Sequence, residues 1–237
     1  MTYKLYTGDD PQNNNESTDL PFFERDYPWS FMLNDISALQ YLYGANFGSG
    51  SNPGNTVYSF NSTTGAMTII DTVDANNTTL PSKDGLIFLT LWDGGGYDVY
   101  DFRNYTTNMN INLAPGGWST LSTSQLANLG VGVDALGNIA NARQFQNNAS
   151  SLIETAWGGS GSDTMTGNAV RNQLKGFSGN DILDGAAGND DLYGGKNNDT
   201  LLGGSGNDKL FGEDDYDWLT PGAGNDIVDG GPGIDMV

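Results

Sequence analysis

The stretch GGSGNDKLFGEDDYDWLTPGAGND, residues 203–226, combines closely spaced glycines with six acidic residues and a single lysine. It belongs to a longer repeat: divided every nine residues, the chain from 158 to 237 gives nine units in one unbroken register, the last unit one residue short. The sixth position is Asp in eight units and Asn172 in the other, and the eighth position is apolar in all nine. A flexible linker has no reason to keep one position apolar, so the repeat predicts a packed structure.

The period of nine indicates stacked turns and short strands. Nine residues make two and a half α-helical turns, which would move the apolar position from face to face. We predict instead a six-residue turn, in which glycines allow positive φ values, followed by a three-residue strand whose central apolar side chain points inward. Two units then form one coil of a flattened spiral, and coils stack about 4.8 Å apart. The fold class expected for residues 158–237 is therefore an all-β, parallel β-roll.

Stacking of the coils would bring the sixth-position carboxylates of alternate units together along each edge. Like charges ~5 Å apart repel by roughly 1–3 kcal/mol, and residues 158–237 hold 14 acidic and 4 basic residues. A cation between the coils would remove this repulsion. Ca²⁺ binds about six to eight oxygens, including backbone carbonyls, whereas zinc prefers nitrogen and sulfur, and the chain has no His or Cys. We expect several Ca²⁺ ions and no zinc; the alternative is a Gly-, Asn- and Asp-rich solenoid or linker without metal.

The composition of the whole chain limits its partners. A net charge of −20 makes nucleic acid and anionic membrane surfaces poor partners, while 37% hydrophobic residues exceed what a disordered acidic chain contains. No apolar run is long enough for a membrane span. The first residues also lack the apolar core of a signal peptide.

Motifs on both sides of residue 158 resemble known families. The nonapeptide pattern is similar to the calcium-binding RTX repeat, which forms a parallel β-roll. Upstream of it, FMLNDISALQYLYGAN (31–46), NTVYSFNSTTG (55–65), LTLWDGGGYDVYDF (89–102) and IETAWGGSGSD (153–163) resemble the serralysins. These are secreted bacterial zinc metalloproteases whose C-terminal half is an RTX roll. The resemblance implies type I export from a Gram-negative bacterium and a roll that folds on calcium outside the cell.

The catalytic part of that family is not matched. MTY, residues 1–3, is similar to the family's Met-turn, but the zinc-binding helix with its three His is missing. An ordinary start followed by a strand is the alternative for MTY. A catalytic zinc needs three protein ligands, so protease activity is not implied for this chain alone. A third functional class is glycoside hydrolysis, with Asp93 and Asp98 as the pair of catalytic acids. The sequence supplies no sugar-binding platform for it.

We expect three regions. Residues 1–50 would be the remnant of the end of a catalytic domain, irregular with a short helix at 34–43. Residues 51–157 would form a β-sandwich-like layer continuous with the roll, with strands in TVYSF, AMTII, GLIFLTLW, YDVYDF, NMNINL and LIETAW. Residues 158–237 would be the roll. The segment 126–129 fits either a loop or one helical turn.

The serralysin resemblance implies two calcium sites above the roll. One would use Asn52, Gly54, Thr56, Asp93, Gly95 and Asp98, and the other Gly96, Asp98, Leu152 and Glu154. Leu152 replaces a Thr of the family, which is harmless only if the backbone carbonyl is the ligand. The alternative for DGGGYD (93–98) is a β-turn with solvated Asp side chains.

Within the roll, each ion would bind the second and fourth carbonyls and the Asp of one unit. It would also bind the first and third carbonyls and the Asp two units later. The pairing that begins with Asn168, Val170 and Asn172 lacks one carboxylate and is expected to be empty. Asp214 and Asp215 are either additional ligands or a solvated acidic edge. The candidate ligands in the roll are Gly159, Gly161, Asp163, Gly176, Phe177, Ser178, Gly179, Asp181, Gly185, Ala186, Ala187, Gly188, Asp190, Gly194, Gly195, Lys196, Asn197, Asp199, Gly203, Gly204, Ser205, Gly206, Asp208, Gly212, Glu213, Asp214, Asp215, Asp217, Pro221, Ala223, Asp226, Gly230, Pro232 and Asp235.

The function expected from these features is that of a non-catalytic calcium-binding roll. The alternative is the C-terminal piece of a zinc metalloendopeptidase whose catalytic half lies on another or removed segment. The expected partners are calcium ions, such a separate or lost N-terminal protease domain, and a second copy at the open end of the roll, where strand edges are unpaired.

Overall fold

The computed structural model describes residues 54–71, 77–82, 84–130, 133–144 and 146–237. The helix expected at 34–43, the irregular segment around it and the candidate ligand Asn52 lie outside these residues. Within the described residues, no helix is long and apolar enough to cross a membrane.

Apart from turns and irregular segments, the secondary structure of the described residues is nearly all β-strand, which confirms the all-β prediction. Two short 3₁₀-helices, Thr123–Gln125 and Ala149–Ser151, interrupt the strands. The strands in chain order are β1 (Thr56–Phe60), β2 (Met67–Asp71), β3 (Asn77–Leu80), β4 (Leu89–Leu91), β5 (Val99–Asp101), β6 (Asn110–Asn112), β7 (Trp118–Ser119), β8 (Asn128–Gly130), β9 (Val133–Asp134), β10 (Ile139–Asn141), β11 (Thr155–Trp157), β12 (Thr164–Thr166), β13 (Gln173–Ser178), β14 (Ile182–Asp184), β15 (Asp191–Lys196), β16 (Thr200–Ser205), β17 (Lys209–Glu213), β18 (Trp218–Ala223) and β19 (Ile227–Asp229).

The repeat folds as a roll with two units per coil. Strands β11, β13, β15, β17 and β19 are parallel neighbours in one sheet, and β12, β14, β16 and β18 are parallel neighbours in another. Leu174 lies opposite Leu192 in the first sheet, and Met165 lies opposite Leu183 in the second. Each pair is separated by two units of nine residues, as the sequence predicts.

The eighth-position side chains fill the interior between the two sheets. The exposed fraction is 0% or 1% from Met165 to Leu219, Val228 is partly buried, and Val237 is 81% exposed. The strands themselves are longer than expected. Within residues 158–237, only β12, β14 and β19 have three residues, because in the other units the pairing continues into the next turn, as between Phe177 and Gly195.

The roll continues without a break into the upstream layer. The first roll sheet extends through β5, β1, β2 and β3 to nine strands, and the second ends on β6. One core runs from Tyr58 through Tyr100 and Ile111 to Leu219. Each of the six upstream segments predicted to be β contains a strand, which confirms the continuity of the two parts. In the segment 126–129, Asn128 and Leu129 belong to strand β8, which pairs with β9, and Leu126 forms an isolated bridge with Ile87.

Leu183 and its neighbour Ile182 provide a matched test of the roll interior. Leu183 is fully buried, whereas Ile182 points outward and is 45% exposed. Leu183→Ala leaves a cavity and should lower the free energy of unfolding by about 2–5 kcal/mol, while Ile182→Ala should cost under about 1 kcal/mol. Urea unfolding in calcium-containing buffer measures both, and equal losses would contradict the assignment of faces.

Candidate metal sites

The sixth-position aspartates form two columns held by backbone hydrogen bonds. From Asp181 onwards, the Oδ1 atom of each accepts the N–H of the residue 18 positions earlier: Asp181 accepts from Asp163 at 2.7 Å, and Asp199 from Asp181 at 2.7 Å. The same bond recurs up to Asp235, which accepts from Asp217 at 3.1 Å. One oxygen of each carboxylate is thereby fixed in place.

The second carboxylate oxygen is buried without a hydrogen-bond partner in five consecutive units. These oxygens are Oδ2 of Asp181, Asp190, Asp199, Asp208 and Asp217. Their parent residues are at most 3% exposed, and among the described residues none of them forms an ion pair. A buried anionic oxygen without a donor is costly unless a cation or a proton neutralises it. The five oxygens therefore mark positions in both columns that require a positive charge.

Each of these oxygens lies close to a backbone carbonyl of the coil above. A Cβ atom placed on Gly185 would be 2.6 Å from Oδ2 of Asp190 and 2.7 Å from the carbonyl oxygen of Gly203. The first-position glycines of the neighbouring units, Gly176, Gly194, Gly203 and Gly212, have the same arrangement. Two oxygens from successive coils thus lie within reach of one cation, and the first position must be small to leave that space.

The turns from unit 3 onwards contain residues in the left-handed backbone conformation. Positions two and four have positive φ in units 3 to 8, although not all of these residues are glycines. The left-handed conformation costs each non-glycine residue roughly 1–2 kcal/mol. Other interactions in the folded state must offset this cost. The left-handed non-glycine residues in these turns are Phe177, Ala186, Asn197, Glu213 and Asp215.

Burial raises the pKa of the aspartates in these columns. Loss of hydration is the main cause, and it raises the pKa of Asp181 and of Asp190 to about 7 and that of Asp199 to about 8. The neighbouring carboxylates act in the same direction. Without a cation, these groups would retain protons close to neutral pH.

A second polar column was missed at the sequence level. The fifth position is Asn in five of the nine units, and its side-chain oxygen accepts the N–H of the fifth residue two units later. Asn198 donates to Asn180 at 3.1 Å, and Asn207 donates to Asn189 at 2.7 Å. The recurrence of Asn at this position was the available signal.

Units 1 and 2 differ from the later units. Oδ2 of Asp163 accepts the N–H of Gly159 at 2.9 Å, and Oδ1 of Asn172 accepts the N–H of Asn168 at 2.7 Å. Among the other expected ligands, the side chains of Glu213, Asp214 and Asp215 are exposed at the edge of the roll. Oδ2 of Asp215 accepts the N–H of Asn197 at 3.2 Å.

The upstream candidate ligands converge in a second buried cluster. Oδ1 of Asp98 accepts the N–H of Thr56 at 2.8 Å, and the N–H of Asp98 donates to Oε2 of Glu154 at 2.9 Å. Asp93 accepts bonds from the Tyr58 hydroxyl at 2.5 Å and from the Gly95 N–H at 2.6 Å. The role of Tyr58 was not foreseen from the sequence.

The upstream cluster also contains buried carboxylates that lack a neutralising positive charge. Asp93 and Asp98 are fully buried, which excludes the solvated β-turn, and Oδ2 of Asp98 has no hydrogen-bond partner. Burial and the nearby Asp93 raise the pKa of Asp98 to about 8, and burial raises that of Glu154 to about 7.

Backbone groups complete the surroundings of this cluster. A Cβ on Gly96 would be 2.5 Å from the carbonyl oxygen of Gly54, and a Cβ on Gly95 would be 3.4 Å from that of Ser150. Leu152, another of the expected ligands, is buried. In the described part of the chain, no three His, Cys, Asp or Glu side chains form a metal-binding group by themselves. An ion here or in the roll would therefore need carbonyl oxygens, which suits Ca²⁺.

Comparison with known proteins places these features in context. Residues 48–231 match the family model described as Peptidase M10 serralysin C terminal. The chain is 37% identical over 144 residues to the metalloprotease AprA of Pseudomonas entomophila, covering 61% of this chain and 24% of that protein. It is 34% identical over 153 residues to the serralysin of Photorhabdus laumondii, a match that covers 65% of this chain and 26% of that protein. It is 37% identical over 152 residues to the serralysin of Proteus mirabilis, which covers 64% of this chain and 25% of that protein. The chain thus spans about a quarter of the length of these curated relatives.

Gly206 tests how closely the coils must approach. Its φ is +139°, and an added Cβ would overlap the carbonyl oxygen of Gly188 in the coil below. Gly206→Ala should therefore lower the free energy of unfolding by at least about 3 kcal/mol. Ser205→Ala, at the exposed neighbouring position, should change it by less than about 0.5 kcal/mol. Thermal unfolding followed by circular dichroism compares the two, and a Gly206→Ala protein as stable as Ser205→Ala would contradict this geometry.

The raised pKa values predict an unusual pH dependence of the calcium-free protein. The folded state keeps protons on Asp181, Asp190 and Asp199 up to about pH 7–8, whereas the usual Asp pKa is 3.8. Their protonation therefore stabilises the fold fully below about pH 4, and this contribution is lost as the pH rises through 7–8. Thermal unfolding at pH 4.5 and pH 8 should show a lower midpoint at pH 8 without calcium, and millimolar calcium should remove that decrease. A calcium-free midpoint that rises with pH would refute the prediction.

Proposed function

Because this chain belongs to the peptidase M10 serralysin C-terminal family, we propose that it is a calcium-binding β-roll module whose folding is driven by calcium outside the cell. In this role it would stabilise a serralysin-like protein and make its secreted form competent to fold. The single observation that carries the proposal is the set of five buried Oδ2 atoms without hydrogen-bond partners in the two aspartate columns.

Calcium suits the chemistry of these positions. Each position combines a carboxylate oxygen with carbonyl oxygens from glycine-rich turns, and Ca²⁺ accepts both kinds of ligand in flexible geometry. Asp181, Asp190, Asp199, Asp208 and Asp217 would hold ions with the carbonyls of their own and neighbouring coils. The bound ions would supply positive charge between carboxylates that otherwise repel one another. In the upstream cluster, Asp93, Asp98 and Glu154 would do the same with the carbonyl of Gly54.

Ligand sets divided between coils couple binding to folding. An ion that bridges two coils has no site in the unfolded chain, so its binding free energy becomes folding free energy. Extracellular calcium modules bind at about 10⁻⁴–10⁻³ M, far above cytosolic calcium. The chain would therefore remain unfolded during export and fold after it.

Asp199→Asn and Asp184→Asn test the proposal as a matched pair. Oδ2 of Asp199 has no partner, whereas Oδ1 of Asp184 accepts the Ala186 N–H at 2.9 Å in a position outside the expected ligand set. Calcium titration of the whole chain, followed by circular dichroism and calorimetry, should show β-structure that appears with calcium. Asp199→Asn should raise the calcium midpoint about tenfold, which corresponds to ~1.4 kcal/mol, and Asp184→Asn should not.

The proposal fails if the wild-type roll is equally folded in EGTA and in millimolar calcium. It also fails if the two variants titrate alike.

A second, compatible candidate is that the chain is the C-terminal piece of a zinc metalloendopeptidase. The names of the relatives, metalloprotease and serralysin, favour it, and they are about four times longer than the match. The catalytic zinc would then be held by another segment or polypeptide, since zinc sites of this kind use His ligands and this chain has none. Casein hydrolysis by this chain with added zinc should be absent, and hydrolysis would show that the activity resides here.

A further inference from the structure

The nine units of the roll fall into two structural classes, and units 1 and 2 (158–175) form a class of their own. In these units, the sixth-position side chain accepts the N–H of the second residue of its own unit, Gly159 or Asn168. In units 3 to 7 no such bond exists, and Oδ2 is left without a partner. Within the roll, the carboxylate oxygens without a hydrogen-bond partner therefore begin at Asp181.

The backbone explains this difference between the two classes. The second residue has positive φ in every unit from Phe177 to Gly231 but not in units 1 and 2, and neither Gly161 nor Val170 at the fourth position has it. Positive φ at the second residue thus coincides with loss of the bond between its N–H and the carboxylate. Gly159 and Gly195 are the same amino acid in opposite conformations, so position in the fold, not residue type, decides which class a unit joins.

Protein groups also hold units 1 and 2 against the upstream layer. Oδ1 of Asp163 accepts the N–H of Met109 at 2.8 Å. The Asn172 side-chain amide donates to the carbonyl oxygen of Glu154 at 3.1 Å, and that of Asn168 donates to the carbonyl of Ile153 at 2.8 Å. Asn172 thus uses its amide hydrogens where an aspartate would present an oxygen. Its side chain is fully buried and fully hydrogen-bonded without a metal.

An ion-pair network then links unit 2 to the coils that follow. Arg171 and Lys209 both pair with Asp191, which is 5% exposed, and the Lys209 Nζ–Asp191 Oδ1 distance is 3.2 Å. These residues belong to units 2, 4 and 6 on the same face. Next to Asn172, the Arg171 guanidinium thus contributes a positive charge to this face of the roll.

From these contacts we propose that residues 158–175 form a calcium-independent first coil, which acts as the template on which the later coils assemble in the N-to-C direction. This inference rests on the proposed calcium-driven folding of the roll and specifies where that folding begins. The first coil presents two finished strands, β12 and the start of β13, to which β14 and β15 can add. Each added coil would complete the ligand set of the ions beneath it.

Hydrogen exchange of the whole chain in EGTA tests the first part of the proposal. Amides of residues 164–166 and 173–175 should be protected at least about tenfold more than those of 200–202 and 209–211. Equal and low protection of both groups would overturn the template while leaving calcium-driven folding intact. Equal and high protection would instead contradict the proposed function.

Two variants separate the template from a general effect on stability. Asn172→Asp replaces the amide donor by a carboxylate, so protection at 173–175 in EGTA should fall about tenfold and be restored by calcium. Asp199→Asn lies beyond the template and should leave protection at 164–175 unchanged. If Asn172→Asp had no effect in EGTA, or if Asp199→Asn lowered protection at 164–175 equally, the special role of unit 2 would be refuted.

Pulse labelling after a jump in calcium tests the direction of assembly. Protection should reach Leu183 and Leu192 before Leu210 and Leu219. The reverse order, or simultaneous protection of all four, would overturn the N-to-C direction.

Discussion

The structure depends on one constraint: a carboxylate oxygen that is buried in each of five successive turns has no hydrogen donor of its own. Packing of the coils removes these oxygens from water, and the backbone N–H of the preceding coil satisfies only the other oxygen of each group. A positive charge, either a cation between the coils or a proton on the carboxylate, would neutralise these oxygens without opening the stack. The glycines at the first position leave space between the carboxylate oxygen and a carbonyl oxygen of the next coil.

The interior of the roll explains why such a constraint can control folding. Each coil contributes only two inward-facing apolar side chains, such as Met165 and Leu174, to a thin core. Burial of two side chains per eighteen residues compensates only part of the conformational entropy lost when those residues become ordered. The remaining stabilisation has to come from interactions between coils along the edges, where the aspartate and asparagine columns lie. A change in the charge state of one edge therefore affects the whole stack.

The upstream layer changes this picture for the first coil. A solenoid in which every repeat contacts only its neighbours can begin to fold at any repeat, but here the first two units are bonded to residues 109, 153 and 154 of a larger core. That core also buries Asp93 and Asp98 beside Tyr58, which gives it a charge requirement of its own. The two parts of the chain thus share a sheet and a core, and both contain buried carboxylates that require a positive charge.

The sequence by itself determined the period, the inward row, the two-unit coil and the columns of aspartates, because a nine-residue repeat with one apolar and one acidic position allows few arrangements. It also identified Asp93, Asp98 and Glu154 through a family resemblance. Only the tertiary structure decided which oxygens are satisfied. The bond from the Asp181 N–H to Asp199 joins residues 18 positions apart, and the hydroxyl of Tyr58 reaches Asp93 across 35 positions. The φ of Gly159 and that of Gly195 differ because of their neighbours in space, and residue type cannot reveal such a difference.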